Sequence, residues 1–267
     1  MSEDAKAHPA PGRSSRATLL VVCAATLCAC SIGSSNASRA PVTLASSLQE
    51  LSPHGDRDHF VFIVQSPGAG AAQGIQVEHI SALDQPGEFE VTLSADGAAT
   101  GRVRIRDDGQ TLWLLSEDDL QRRIRVTYEP PLPYLSEPIV AGERRATSTG
   151  EITRLGDGGA IGTMQVTQVV DLTPAPPVHS RLGIYPRPVS MRTVRSMHGG
   201  DGGLELTTTM VLVPGIGEVR SDGSVSGSPP LRRELVCAII GGRAIGDCHN
   251  LNALLQESTG AGSTDVQ

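Results

Sequence analysis

The 267-residue sequence predicts a mainly β protein built on a strongly curved antiparallel sheet, a half-barrel or open barrel with little helix. Apolar and polar side chains alternate with a period of two in many short runs, for example at Phe89, Val91 and Leu93. Five Asp-Gly dipeptides lie close to such runs, and Asp-Gly suits the left-handed conformations of tight hairpin turns. No stretch shows the pattern of a sustained amphipathic helix, so short turns are expected to join antiparallel strands.

The amino-terminal residues 1–29 have the pattern of a signal peptide. Arg13 and Arg16 precede thirteen uncharged residues, 17–29. This run is too short for a permanent span, which takes about 20 residues, but it matches the apolar region of about 7–15 residues in export signals. A buried helix is the alternative, but the polar, Ser-rich residues 31–38 offer it no amphipathic continuation.

The end of this run, Leu27-Cys28-Ala29-Cys30, resembles the bacterial lipobox. The resemblance implies cleavage before Cys30 and acylation of that residue. A frame ending at Cys28 would place the large Leu27 beside the cleaved bond, which favours Cys30. Two or three acyl chains anchor a protein stably. The expected location is therefore the bacterial cell envelope, at the outer membrane or, in a cell without one, on the outer face of the plasma membrane.

The exported part divides into three predicted regions. Residues 30–57 are expected to form a flexible tether, with one or two helical turns before Pro53. Residues 58–250 form the antiparallel β domain, and residues 251–267, which have no apolar cluster, form a disordered tail. The predicted strands are 60–64, 75–83, 89–93, 102–106, 111–115, 122–128, 144–153, 161–171, 189–197, 204–213, 217–220, 231–240 and 243–248.

A proline-rich segment breaks the middle of the chain at Pro130, Pro131, Pro133 and Pro138. Proline cannot donate to a central strand ladder, so this segment is expected to be an extended crossover between two halves of the sheet. A proline-rich ligand for a partner protein is the alternative.

Two cysteines near the carboxyl terminus, Cys237 and Cys248, are expected to form a disulfide because export places them in an oxidising environment. A hairpin with Gly242-Arg243 as its loop would place the two cysteines directly opposite each other. A loop at Gly241-Gly242 would leave them diagonal and harder to join.

The composition and the motifs of the sequence argue against several classes of function. The net charge of −7 and the pI near 5.5 argue against a nucleic-acid surface. The sequence around Val225 lacks the serine of a nucleophile elbow, and no histidines have metal-chelating spacing, although His59 and His79 could meet across neighbouring strands. Asp107-Asp108 and residues 117–119 (Glu-Asp-Asp) could form a glycosidase dyad or a Ca²⁺ site, but neither spacing is diagnostic. The sequence therefore predicts a protein without enzymatic activity, cofactor or metal.

Residues 130–146 (PPLPYLSEPIVAGERRA) and 213–220 (VPGIGEVR) are similar to turn patterns of poorly characterised bacterial envelope lipoproteins. The resemblance implies a curved sheet like that of periplasmic lipoprotein carriers and mycobacterial lipid-binding lipoproteins. It also implies a location in the cell envelope. The expected function is a non-enzymatic binding or structural role at the membrane, with a lipid or another envelope protein as partner. The alternatives are a carrier that holds an acyl chain in its concave face and a hydrolase with dispersed site residues.

Overall fold

The computed structural model describes residues 41–65, 73–200, 202–226, 228 and 230–248. The lipobox cysteine Cys30 and the predicted tail 251–267 lie outside the described residues. Within them, no helix has the length and apolar character needed to cross a membrane.

One short helix and fifteen strands make up this part of the chain. They are α1 (Leu48–Leu51), β1 (His59–Gln65), β2 (Gln73–Ala82), β3 (Glu88–Ala95), β4 (Ala98–Asp107), β5 (Thr111–Asp119), β6 (Ile124–Ser136), β7 (Gly142–Arg154), β8 (Ala160–Pro174), β9 (Val178–Ser180), β10 (Gly183–Tyr185), β11 (Val189–Gly199), β12 (Gly202–Val213), β13 (Gly217–Val225), β14 (Leu231–Ile240) and β15 (Arg243–Gly246).

Thirteen of these strands form one antiparallel sheet in which neighbours along the chain pair with each other, except that β8 pairs with β11. The intervening β9 and β10 form a separate two-stranded sheet. β1 pairs along its whole length with β14, which closes the sheet into a barrel of twelve strands. The other edge of β14 is shared by β13 at its beginning and β15 at its end. The predicted curved antiparallel sheet is confirmed, and its curvature continues to full closure. Closure gives each of the twelve strands a hydrogen-bonded neighbour on both sides over at least part of its length.

The predicted strands are all present, most of them longer than their sequence pattern indicated. The turn prediction was wrong at Asp222-Gly223, which lies inside β13 and pairs with both β12 and β14. Asp96-Gly97 does form a hairpin turn, and both of its residues have positive φ angles, as expected for a tight turn.

The proline-rich segment is not a crossover between sheet halves, so that prediction was wrong. Pro130, Pro131 and Pro133 lie within β6, whose carboxyl-terminal half pairs with β5 through two register shifts. Only residues 124–129 of β6 pair with β7. Proline lacks the N–H that a ladder needs, and Pro130 and Pro131 have no ladder partner in β5 or β7, whereas Pro133 is paired with β5 alone. The side chain of Gln168 donates to the Pro133 carbonyl there, at 2.8 Å.

The segment 41–57 before the barrel packs against one of its ends. Thr43 forms an isolated bridge with Val140, and α1 buries Leu48 and Leu51 in the main core. Ser47 caps α1 by accepting a hydrogen bond from the Glu50 amide at 3.2 Å. The predicted helical turn before Pro53 is thus present, but the packed domain begins earlier than the predicted boundary at residue 58.

Cys237 and Cys248 form a disulfide with a Cα–Cα distance of 5.2 Å. The expected loop register was wrong, because the loop is Gly241-Gly242 and Cys237 lies opposite Gly246. Both loop glycines have positive φ angles, which favours this register over one with Arg243 in the loop. The chain turns at Gly246, where φ is +81°, and so returns Cys248 to the partner cysteine.

Candidate functional site: a cavity inside the barrel

The barrel encloses a cavity of about 310 Å³ beside α1. Its walls are mainly aliphatic and aromatic, and its polar lining is concentrated in a few charged side chains. The apolar lining includes Leu51, Phe60, Phe62, Ile80, Val91, Leu93, Val103, Ile105, Leu112, Leu114, Leu135, Leu206, Met210 and Leu212. The volume lies at the lower end of the range of ligand pockets, about 300–1,000 Å³.

A β-bulge directs Glu117 into this cavity. Ile105 pairs with Leu114 and Arg104 with Ser116, so Leu115 is an extra residue in β5. Strict alternation from Leu114 would place Ser116 inside, but the extra residue reverses the phase and turns Glu117 inward.

A second bulge directs Glu218 into the same cavity. Leu212 pairs with Glu218 and Val211 with Arg220, so Val219 is the extra residue in β13. Glu218 therefore lines the cavity, while the neighbouring Arg220 lies on the outer face, where it donates to the His179 carbonyl at 3.1 Å. Two acidic side chains thus enter an apolar interior through the same backbone device.

Arg195 is the centre of the first buried polar group, the Arg195 cluster, which also contains Glu117, Tyr128 and Gln168. Its Nη1 donates to both carboxylate oxygens of Glu117 at 2.8 and 2.9 Å. Its Nε and Nη2 donate to the amide oxygen of Gln168 at 3.1 and 2.9 Å. The Tyr128 hydroxyl donates to Glu117 at 2.6 Å, and the guanidinium lies 5.6 Å from the Tyr128 ring centre. This cluster pairs one cation with one carboxylate.

Arg233 is the centre of the second group, the Arg233 cluster, which also contains Glu78, Glu218 and Ser221. Its Nε donates to Glu218 at 2.7 Å and to the Ser221 hydroxyl at 3.0 Å, and its Nη2 donates to the second Glu218 oxygen at 2.5 Å. Nη1 donates to Glu78. The guanidinium is stacked 4.5 Å from the Phe62 ring centre. This cluster pairs one cation with two carboxylates.

Burial changes the titration of these groups. Desolvation raises the pKa of Glu78, assisted by the negative charge of Glu218 and opposed by Arg233. Desolvation, followed by the charge of Glu117, raises the pKa of Tyr128 far above its usual value, so the phenol keeps its proton and remains a donor. The pKa of Tyr134 is raised mainly by desolvation and then by Glu218.

Two hydroxyl groups at the cavity lack a strong partner. Among the residues that the structure describes, Thr193 Oγ1 is the single buried side-chain oxygen or nitrogen without a hydrogen bond. Thr193 lines the cavity and is 7% exposed. The Tyr134 hydroxyl donates only to the thioether of Met210, a weak acceptor, at 3.3 Å. The cavity therefore combines apolar walls with unused hydrogen-bonding capacity.

His54 lines the end of the cavity next to α1, where it is buried. Its Nδ1 lies 2.5 Å from the Ser52 carbonyl oxygen, and its Nε2 lies 2.9 Å from an Asp107 carboxylate oxygen. A carbonyl oxygen can only accept, so Nδ1 carries a proton, and the contact with Asp107 is favourable when a second proton lies between those two groups. The pair has no net charge in that state.

The histidines and carboxylates that the sequence suggested as site residues lie in separate parts of the structure. His59 and His79 do meet, with ring centres 6.1 Å apart, and desolvation followed by the charge of His79 lowers the pKa of His59. Asp108 begins the β4–β5 turn by accepting from the Thr111 amide at 2.7 Å. Asp118 and Asp119 do not join Glu117 in one site, because they pair outside the cavity with Arg125 and Arg122, respectively. Within the described ranges, no group of three or more potential metal ligands lies together.

Sequence reasoning missed most of the charged residues of the cavity. Arg195 had a visible signal, because it continues the alternation of Val189, Met191 and Thr193, which share one buried face, at a spacing of two. Glu78 likewise lies two residues before the buried Ile80. Glu117 and Glu218 had no such signal, since a bulge reverses the phase of each.

Two solved structures show a distant similarity to this chain. No protein-family model and no curated protein matches the sequence. A protein described as exported, with a YmcC-like fold, from Bacteroides fragilis is 12% identical, with a TM-score of 0.44, over 73% of this chain and 98% of its own. A protein described as a lipoprotein, from Parabacteroides distasonis, is 10% identical, with a TM-score of 0.43, over 68% of this chain and 95% of its own.

Proposed function

We propose that this protein is a lipid-anchored, non-enzymatic binding protein of the bacterial cell envelope whose barrel holds a small amphiphile. The observation that carries the proposal is the cavity, which has mainly apolar walls, a few converging polar groups and a volume of about 310 Å³. Cavities of this kind are the usual binding sites for small ligands. Membrane lipids and their breakdown products are the amphiphiles nearest to a protein anchored by acyl chains.

The arrangement of the charged groups supports binding rather than catalysis. Glu117 is bonded to Arg195, and both Glu78 and Glu218 are bonded to Arg233. A carboxylate that acts as a general base must be free to take a proton from the substrate. The cavity carboxylates instead hold the two arginines in place, and the arginines fix the shape of the polar wall.

The anchor is supported by the sequence at Cys30. We expect Cys30→Ser to remain an uncleaved precursor or to become soluble, and detergent-phase partitioning of the envelope fraction measures this. Normal partitioning of the variant into detergent would contradict lipidation at Cys30. Metabolic labelling with a radioactive fatty acid provides an independent readout, since Cys28→Ser should keep the label and Cys30→Ser should lose it.

Ligand binding can be tested with the neutral fluorescent probe N-phenyl-1-naphthylamine and the full-length chain carrying Cys30→Ser. This variant removes the acyl chains of the protein itself, which could otherwise occupy the cavity. We expect saturable, blue-shifted fluorescence as the probe enters the apolar interior. The absence of saturable binding in a folded sample would contradict the proposal.

A matched pair of variants on β12 locates the binding. Leu206 lines the cavity, whereas the next residue, Thr207, points to the opposite face of the sheet. Leu206→Trp should fill part of the cavity and lower probe affinity at least ten-fold, and Thr207→Trp should leave affinity within two-fold of the parent. Equal effects of the two substitutions would place the binding elsewhere. Native mass spectrometry of the parent then identifies ligands that co-purify.

A further inference from the structure

The charged lining of the cavity determines which kind of polar head it accepts. Three carboxylates and two guanidinium groups line the cavity, and both guanidinium groups are already bonded to carboxylates. With every group of the two clusters ionised, the lining carries one negative charge in excess.

An acidic head would gain little in such a site. A carboxylate or phosphate is usually bound by an arginine with free donors in a fork geometry. Arg195 uses Nη1 for Glu117 and the Nε side of its fork for Gln168. Arg233 uses the Nε and Nη2 side of its fork for Glu218. A buried anion would therefore find no free cation to compensate its charge.

A cationic head is disfavoured by the same burial. The one carboxylate in excess belongs to the Arg233 cluster, where desolvation raises the pKa of Glu78 and so favours its uncharged form. An ammonium group would lose its hydration on entering the barrel, and the carboxylates that could compensate it are already bonded to arginine.

An uncharged hydroxyl fits the unused groups. Thr193 is one of the residues that line the cavity, its Oγ1 is buried and has no partner, and a hydroxyl can both donate one bond and accept two. Tyr134 adds a second donor that is held only by a thioether. An unsatisfied buried hydroxyl is unfavourable in the empty protein, and a ligand that pairs with it removes that cost.

We infer that the cavity selects amphiphiles whose head is an uncharged hydroxyl, such as long-chain alcohols or monoacylglycerols, and that Thr193 bonds this head. This inference rests on the proposed function, since it names the class of ligand for the same cavity. Thr193 is a binding residue in this view, and the Arg195 and Arg233 clusters exclude charged competitors.

Displacement of N-phenyl-1-naphthylamine by ligands of equal chain length tests the head group. At pH 7.5, decanoic acid is anionic and decylamine is cationic, whereas decan-1-ol is neutral. On the full-length Cys30→Ser chain, we expect half-displacement by decan-1-ol at a concentration at least ten-fold below that of either charged compound. Equal or stronger displacement by decanoic acid or decylamine overturns the inference.

Variants of Thr193 test the contact itself. Thr193→Val replaces the hydroxyl with a methyl group of the same shape, and should weaken displacement by decan-1-ol about three- to ten-fold. The same change should raise the melting temperature of the ligand-free protein by about 2–4 °C, because it removes the unsatisfied group. Loss of affinity in a more stable protein cannot come from misfolding. Thr193→Ser, which keeps the hydroxyl, should bind decan-1-ol within two-fold of the parent.

The proposed function and the inference about the head group are contradicted by different results. If the probe does not bind, or if Leu206→Trp does not weaken it, the proposed function fails. If the probe binds in the cavity but Thr193→Val leaves decan-1-ol affinity unchanged, the proposed function stands and the inference about the head group is wrong.

Discussion

Each of the two buried clusters is built around an arginine, but the two arginines have different hydrogen-bond partners. Arg195 is bonded to one carboxylate, and two neutral side chains, Tyr128 and Gln168, complete its surroundings. Arg233 is held by two carboxylates and stacks on an aromatic ring. The Glu117 side chain is 36% exposed, whereas the Glu218 and Glu78 side chains are 12% and 16% exposed.

This difference shows how a small apolar barrel tolerates charge. The Arg195 cluster balances its charge one to one and leaves its carboxylate partly in contact with solvent or the cavity. The carboxylates of the Arg233 cluster are more deeply buried than Glu117 and outnumber their cation by one, so the charge is accommodated by a raised pKa at Glu78. Replacing the arginine by an uncharged residue should therefore lower the free energy of unfolding by different amounts in the two clusters.

The largest effect is expected from loss of Arg233. Arg233→Met strands two buried carboxylates, whereas Arg195→Met strands one that is partly exposed. Breaking a buried pair costs about 3–5 kcal/mol, and exposure lowers that figure. We expect the free energy of unfolding to fall by about 4–5 kcal/mol for Arg233→Met and about 2–3 kcal/mol for Arg195→Met, as measured by urea denaturation.

The double variant Arg233→Met/Glu78→Gln provides the control for this difference. Removing one stranded charge should recover a large part of the stability lost in Arg233→Met. An equal loss for Arg195→Met and Arg233→Met, with no recovery in the double variant, would show that the number of carboxylates does not distinguish the clusters.

A smaller effect is expected in the dependence of stability on pH. The raised pKa of Glu78 means that the folded protein binds this proton more tightly than the unfolded chain does, so its contribution to stability is lost as pH rises above about 4.5. Glu78→Gln cannot lose a proton. The unfolding free energy of Glu78→Gln minus that of the parent should therefore increase between pH 4.5 and 7.5, and a flat or falling difference would contradict the raised pKa.

The smallest effects are expected from the two tyrosines. Tyr128→Phe removes the donor to Glu117 inside the Arg195 cluster and should cost about 1–2 kcal/mol. Tyr134→Phe removes only the contact with the Met210 thioether and should change stability by less than about 0.5 kcal/mol. Denaturant midpoints of the two variants measure the difference. A larger loss of stability for Tyr134→Phe than for Tyr128→Phe would contradict the conclusion that Tyr128 has the stronger hydrogen bond.

Local patterns were sufficient for much of the fold. Alternation placed Phe89, Val91 and Leu93 on a strand whose partners are β2 and β4. The apolar residues before Pro53 predicted a helical turn, and α1 lies there. These features depend on neighbours a few residues away, and such neighbours are visible in the sequence.

The site was much less predictable, because its contacts join distant parts of the chain. Arg195 and Glu117 are separated by 78 residues, and Arg233 and Glu78 by 155. The carboxylates Glu117, Asp118 and Asp119 are adjacent in sequence, yet only Glu117 faces the cavity. The pleat of the strand turns Asp118 to the face opposite Glu117, and Asp119 is the last residue of β5, where it pairs with Arg122.

The sequence by itself determined that this chain forms antiparallel strands with short turns, because a period of two and left-handed turn residues are local properties. Only the tertiary structure decided that β1 would pair with β14 and enclose a cavity. It also decided which acids face that cavity, because a bulge exists only relative to a partner strand. A single extra residue reverses the alternation on one side of it relative to the other. Leu115 in β5 turns the following Glu117 inward, and Val219 in β13 lets the preceding Glu218 face inward on the same side as Ser221.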